Sequence, residues 1–337
     1  MKAAMYAGGG GAITIENLPD PVPGPDDVLI RVARCGICGT DLSMTKGEMF
    51  DFGQNTQFGH EYAGEVIEVG SRVDTLQRGD RVAVMPSVPC GQCHICHVHE
   101  NATLCQGKTE TAMVGFAEFA RVPAKVATRL PHVLSLADGA LVEPLAVSLY
   151  GLQLAKIRPG DPVLVLGGGT VALYAIYWAR RLGAGRIVAM SRSARRKDMC
   201  MAMGADTFIT FGDSEIGDVV EALGGSPHHV FECVGAPGML QKAVMHVAPF
   251  GQIISLGFCT APDPVMPALA SYKCATMKFA VGYSMREFLY IADQLDKGHV
   301  DPKTIITGEF GLDDLPAAIS QLRGPNNETK LHVCMGT

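Results

Sequence analysis

The sequence predicts an α/β protein in two parts: a β-rich, barrel-like unit and a doubly wound parallel sheet of six strands. Three observations carry this expectation. Strand-like runs with no helical period between them fill roughly the first 140 residues. From about residue 148, short apolar runs alternate with helical periods. A glycine loop joins the first of those runs to the first of those helices.

In the first part, Val28–Val32, Gly64–Val69 and Arg81–Val84 read as strands, punctuated by Pro21, Pro23-Gly24-Pro25 and Gly79-Asp80. In the second part the strands are Pro162–Leu166, Arg186–Met190, Thr207–Phe211, His229–Cys233, Gly251–Gly257 and Lys278–Tyr283. The intervening helices are Thr170–Leu182, Ala194–Met203, Ser214–Leu223 and Gly238–Val247. Such short, continuously apolar strands are those of a sheet covered on both faces. The tail opens with a helix, Arg286–Leu295, and shows no further alternation, so it is expected to return to the first part.

With 337 residues, 47% apolar and 18% charged, the chain is too apolar for a disordered polyelectrolyte and long enough for a sizeable core. A net charge of −6 leaves no basic footprint for nucleic acid or anionic lipid. Pro162–Ala179 is uncharged and near spanning length, but Gly167-Gly168-Gly169 breaks it, so no membrane partner is expected. The 11 cysteines are odd in number and clustered, and Met1–Ala7 lacks the apolar core of a secretion signal. A reducing, cytoplasmic location is expected, with the clusters serving as metal sites or reactive thiols.

Gly167-Gly168-Gly169-Thr170-Val171-Ala172 fits G-x-G-x-x-G/A between a strand and a helix, the setting in which that pattern binds a dinucleotide. Gly167 permits the turn, Gly169 lets backbone approach a pyrophosphate, and Ala172 keeps helix and strand close. Thr170 and Val171 open the helix whose N–H groups face the phosphates. An NAD site usually carries Asp or Glu at the end of the next strand. Here that residue is Ser191, followed by Arg192, Arg195 and Arg196. Arginine binds a 2′-phosphate that a carboxylate would repel, so NADP(H) is expected over NAD(H). Cys233-Val234 and Leu256-Gly257-Phe258, at two further strand ends, are candidate cofactor contacts. Lys330 is either a pyrophosphate contact or a surface lysine.

Cys90, Cys93, Cys96 and Cys105 supply four closely spaced thiols, the set that closes a structural tetrahedral zinc site. His94, His97 and His99 among them read as solvated loop residues. A second constellation comprises Cys35-Gly36-Ile37-Cys38-Gly39-Thr40-Asp41, Gly59-His60-Glu61 and Leu141-Val142-Glu143-Pro144. With the cysteine lobe, Gly115-Phe116-Ala117-Glu118-Phe119 and the glycine loop, these motifs run in one order along nearly the whole chain. In that order the chain resembles the medium-chain zinc-dependent alcohol dehydrogenases, including their polyol and threonine dehydrogenase branch.

The resemblance implies a GroES-like catalytic domain over 1–147 with a zinc lobe at about 88–107, a Rossmann domain over 148–283, and a return at 284–337. It implies two zinc ions per subunit. The catalytic one would be held by Cys38, His60 and Glu61, with Glu143 as an alternate carboxylate, while Cys35 matches a position that is not a ligand. Asp41 matches the residue that orients the histidine, and Thr40 the hydroxyl that touches the substrate oxygen. Two bound carboxylates with one thiolate would leave the zinc site net negative, so one is expected to leave when substrate binds. Ser43 stands where many members carry a histidine that ends a proton relay.

The expected activity is hydride transfer between a secondary alcohol or ketone and NADP(H). Phe50, Phe52, Met113, Phe258 and Tyr283 are candidate pocket residues, and Gly282 replaces an arginine typical of polyol dehydrogenases. A lipophilic small-molecule substrate follows from these two features. The alternatives are an NAD-dependent polyol or threonine dehydrogenase, and a non-catalytic zinc- and dinucleotide-binding protein. A homodimer or homotetramer is expected from the open sheet edge.

Overall fold

Short strands, several of them carrying valine or isoleucine, make up much of the N-terminal part of the chain. The computed structural model describes residues 1–47, 53–107, 110–297, 302–324 and 326–336. The chain divides into two compact units, Met1–Ala146 with Tyr283–Thr337, and Val147–Gly282.

The first unit opens with β1 (Lys2–Tyr6), β2 (Ile13–Asn17), β3 (Asp27–Gly36), the short helix α1 (Gly39–Met44) and β4 (Thr56–Gln57). It continues through β5 (Glu61–Val69), β6 (Arg81–Val84), β7 (Phe119–Pro123) and β8 (Ala127–Arg129). Helix α2 (Leu136–Ala155) carries the chain into the second unit. There β9 (Val163–Leu166), α3 (Thr170–Arg181), β10 (Ile187–Ser191), α4 (Lys197–Ala202) and β11 (Thr207–Thr210) form one half. The other half comprises α5 (Glu215–Leu223), β12 (His229–Glu232), α6 (Met239–His246), β13 (Gln252–Ser255), α7 (Pro267–Tyr272) and β14 (Thr276–Phe279). The chain then re-enters the first unit with α8 (Met285–Asp296), β15 (Ile306–Gly311), α9 (Leu315–Leu322) and β16 (Lys330–Cys334).

In the first unit β3 is the spine. It pairs antiparallel with β5 along one edge, and with β7 and β16 along successive parts of the other. Gly36 pairs with Glu61 across one edge and with His332 across the other, so three strand ends meet at one place. In the second unit the six strands are parallel in the order β11-β10-β9-β12-β13-β14, reversing direction of growth between β9 and β12. Ligands of such sheets bind at the carboxyl ends of the strands, at that reversal. One core cluster there joins Leu164, Leu166, Val188, Met190, Val230 and Ile253 to Val219 and Val244. Helix α3 is buried from Ala172 to Ala179, which is why Pro162–Ala179 carries no charge.

Three expectations need correction. The last strand of the parallel sheet is Thr276–Phe279, not Lys278–Tyr283, because Gly282 enters the left-handed region at φ +71° and the run before it is not paired. The tail does alternate, through β15, α9 and β16. The lysine and histidine of Lys330-Leu331-His332-Val333-Cys334 disguise a buried strand. Helix α2 has no helical signature in the sequence because nearly every face of it is buried, which erases the 3.6-residue period, and because it contains Pro144.

His332 is fully buried with neither ring nitrogen hydrogen-bonded. Burial, with help from the charges of Lys330 and Arg34, pushes its pKa down to about 3. The folded chain therefore keeps it neutral while the unfolded chain protonates it below about 6.5. Its contribution is complete above pH 6.5 and is lost as pH falls toward 3, costing about 2 kcal/mol by pH 5. Melting temperature against pH should fall less steeply on the acid side for His332→Leu than for the wild type. Parallel curves would contradict this.

Candidate zinc and dinucleotide sites

The first site is built where β3, β5 and β16 end together. Cys38 follows β3 and precedes α1, where Asp41 Oδ2 accepts its backbone N–H at 2.9 Å. His60 and Glu61 open β5. Gly59 before them has φ +97°, and a Cβ there would sit 2.7 Å from the backbone nitrogen of Phe116, so that turn requires glycine. Gly36 is required too, because a Cβ on it would stand 2.2 Å from Glu61 Oε2. These constraints bring the thiol of Cys38, a ring nitrogen of His60 and a carboxylate oxygen of Glu61 within 4.8 Å of one another.

This donor set fits zinc: one thiolate, one imidazole and one carboxylate, partly enclosed. His60 Nδ1 is buried without a hydrogen-bond partner, and the equally unpartnered Asp41 Oδ1 lies 3.4 Å away. Burial works against a proton on His60, but Asp41 and Cys38 outweigh it and hold its pKa well above the usual value. Thr40 lies half-buried in the first turn of α1, with Ser43 half-buried further along it.

Glu143, on α2, stands apart from that trio. Its Oε1 accepts the Tyr283 hydroxyl at 2.7 Å. Burial pushes Glu143 up to about 7; Glu61 repels in the same sense, while His60 and Tyr283 pull the other way.

Lys330 is not a surface lysine. It is 2% exposed, and its Nζ donates to Glu61 Oε1 at 2.7 Å, to Oε2 at 2.5 Å and to Ile37 O at 3.0 Å. Burial pulls its ammonium pKa down, yet Glu61 and Cys38 outweigh burial and the group stays charged. Its charge offsets that of Glu61.

The four-cysteine lobe also assembles. Cys90, Cys93, Cys96 and Cys105 place their sulfurs within 4.8 Å of one another, with Cys93 to Cys96 at 3.5 Å. Asn101 caps the short turn before Cys105 by accepting from Thr103 N and Leu104 N. Backbone N–H groups of Cys96 and Gln106 pull the Cys93 thiol down to about 5, as suits a thiolate ligand. His94, His97 and His99 are exposed.

In the second unit Gly167 has φ +126°, and Gly169, which has no side chain to cap the helix, stands at the N-terminus of α3. A Cβ on Gly169 would meet no atom within 4 Å, so the space before the helix is open, as a pyrophosphate requires. Gly168 faces Ser191 Oγ and Arg196, at 3.7 and 3.6 Å from an added Cβ, so the loop and the end of β10 converge. Arg192 is exposed. The turns Cys233-Val234-Gly235 and Leu256-Gly257-Phe258 lie against each other at the ends of β12 and β13. Among the pocket candidates, Phe50 and Phe52 lie outside the described residues and Met113 is half-buried. Phe258 is 47% exposed, and Tyr283 is buried with its hydroxyl on Glu143.

Residues 24–132 match the family model for the alcohol dehydrogenase GroES-like domain, and 170–295 match that for zinc-binding dehydrogenase. Sorbitol dehydrogenase of Ovis aries is 30% identical over 92% of this chain and 90% of that protein. The chain belongs to the zinc-dependent medium-chain alcohol dehydrogenase family. It is therefore an oxidoreductase, with the GroES-like and Rossmann folds of that family. (R,R)-butanediol dehydrogenase of Bacillus subtilis is also 30% identical, over 90% of each chain. A zinc-binding dehydrogenase of Sinorhizobium meliloti 1021, solved bound to NADP, has 30% identity and a TM-score of 0.88, covering 99% of this chain and 98% of that one.

For this alcohol dehydrogenase family member, the contacts that the sequence does not reveal at the candidate zinc site are those of Lys330 with Glu61 and of Tyr283 with Glu143. A lysine inside an otherwise apolar strand was the available signal for the first. No helix among the described residues is long and apolar enough to cross a membrane.

Proposed function

We propose that this chain oxidises a lipophilic secondary alcohol, or reduces its ketone, with NADP(H), using a zinc ion held by Cys38, His60 and a carboxylate. The observation that carries the metal assignment is the convergence of thiol, imidazole and carboxylate within 4.8 Å. When bound, zinc supplies a Lewis acid for the substrate oxygen, and the nicotinamide accepts or supplies the hydride.

The chain's own groups do the rest. Asp41 orients His60, and Lys330 holds Glu61 by both oxygens. Glu143, whose Oε1 accepts the Tyr283 hydroxyl, would be the alternate carboxylate for that metal. Thr40 would hydrogen-bond the substrate oxygen, accepting its proton while its own hydroxyl proton passes to water. Cys90, Cys93, Cys96 and Cys105 hold a second, structural zinc.

Ser191 and Arg196 beside Gly168 support the preference for a 2′-phosphate, and the NADP-bound Sinorhizobium relative accords with it. Gly282, in the left-handed region, offers no side chain to anchor a string of hydroxyls. The sorbitol dehydrogenase relatives favour a second reading, an NAD-dependent polyol dehydrogenase.

A substrate panel with both nucleotides separates the two readings. Wild type should show kcat/KM for NADP above that for NAD by at least about tenfold, the worth of one charge-assisted bond. Ser191→Asp should cut the NADP value by about tenfold to a hundredfold and narrow or reverse that preference. NAD preference in the wild type, together with sorbitol turnover, would replace this reading.

A further inference from the structure

We propose that Glu232 is a positioning residue for the nicotinamide half of the dinucleotide, acting by locking two strand-end turns into one wall. The inference rests on the dinucleotide reading above. In a doubly wound sheet each three-strand half takes one mononucleotide. The glycine loop, Ser191 and Arg196 occupy the β9–β11 half, which leaves the ends of β12, β13 and β14 for the other mononucleotide.

Glu232 ends β12 and is 2% exposed. Its Oε1 accepts the N–H of Val234 at 2.6 Å and of Gly235 at 2.8 Å. Its Oε2 accepts the hydroxyl of Ser255, the last residue of β13, at 3.1 Å. Its backbone carbonyl accepts from Leu256 N at 2.7 Å and Gly257 N at 2.9 Å. One residue thus fastens the turn after β12 to the turn after β13.

The two turns fit with no slack. Gly235 has φ +67°, and a Cβ on it would come within 2.6 Å of Phe258 N. A Cβ on Gly257 would come within 2.1 Å of Gly235 N and 2.6 Å of Glu232 Oε2. A cavity of about 300 Å³ opens on this wall, lined by Glu232, Ser255, Gly257, Phe258, Phe279 and Val281. A carboxylate buried on such a wall, with both oxygens engaged by the turns, fixes where Val234 and Phe258 stand before any ligand arrives. Pre-set walls raise affinity by removing the cost of ordering.

Glutamine can reproduce this arrangement. Its amide oxygen would accept from Val234 and Gly235, and its NH₂ would donate to the Ser255 hydroxyl. Alanine cannot. The test is binding of NADPH, read by nucleotide fluorescence, beside binding of 2′-phospho-ADP-ribose, which lacks the nicotinamide. Glu232→Ala should raise the Kd for NADPH by about tenfold while changing that for the fragment less than about twofold. Glu232→Gln should stay within about threefold of wild type for both.

If the alanine variant fails to fold, Ser255→Ala decides, with an expected NADPH loss of about threefold and an unchanged fragment. Equal weakening of both ligands, or unchanged NADPH binding in variants that fold, would overturn the proposal while leaving the dinucleotide reading intact. A wild type that binds neither nucleotide would instead overturn that reading and this inference with it.

Discussion

Replacing Cys38 with alanine should lower kcat/KM by about a thousandfold or more, because Lewis-acid assistance is worth several kcal/mol and each 1.36 kcal/mol is tenfold in rate. The thiolate is the one soft ligand in the trio of Cys38, His60 and Glu61. Without it, one borderline imidazole and one hard carboxylate remain, and the carboxylate is already engaged by Lys330 through both oxygens. The fold should survive. Asp41 Oδ2 still accepts the backbone N–H of residue 38, so α1 keeps its start, and Cys38 is not in the core. Steady-state kinetics beside a melting curve check this. A variant melting near the wild-type temperature with more than about a tenth of its activity would contradict it.

Cys96→Ser should show the opposite pattern. Structural zinc sites contribute folding free energy outright, commonly about 10 kcal/mol or more in isolated modules. In a larger unit only the local share is lost. Taking several kcal/mol at about 2–4 °C each gives a fall in Tm of roughly 10 °C. The lobe should become a preferred site of proteolysis between Cys90 and Cys105, while kcat measured below the transition stays within about threefold of wild type. Loss of kcat without a change in Tm would show that these four thiols serve the reaction instead.

Much of this was legible because each motif carries a physical requirement that shows in residue type. Gly167 and Gly169 mark a turn and an open helix start, and Ser191 with Arg196 marks the end of the next strand, so the local structure of the candidate dinucleotide half is written in the sequence. The cysteine spacing alone pointed to a closed tetrahedral set. What escaped had lost its signature through burial. Helix α2 is apolar on nearly all sides, and β16 hides behind the charges of Lys330 and His332.

The Lys330–Glu61 pair joins residues 269 apart in sequence and exists only because β16 lies beside β3. No local pattern encodes that. The same holds for Tyr283, whose hydroxyl meets Glu143 from 140 residues away. Sequence motifs thus name the donors of the candidate zinc site, whereas the chain's return to the first unit determines which carboxylate is already engaged.

Elemental analysis of three purified chains tests the central claim most directly. The account predicts about two zinc ions per chain in the wild type, about one in Cys38→Ala and about one in Cys96→Ser, since each variant opens one of two independent sites. The metal kept by Cys96→Ser should be the one that activity requires. Full activity in wild-type protein carrying no metal, or a Cys38→Ala chain that still holds two ions, would contradict it.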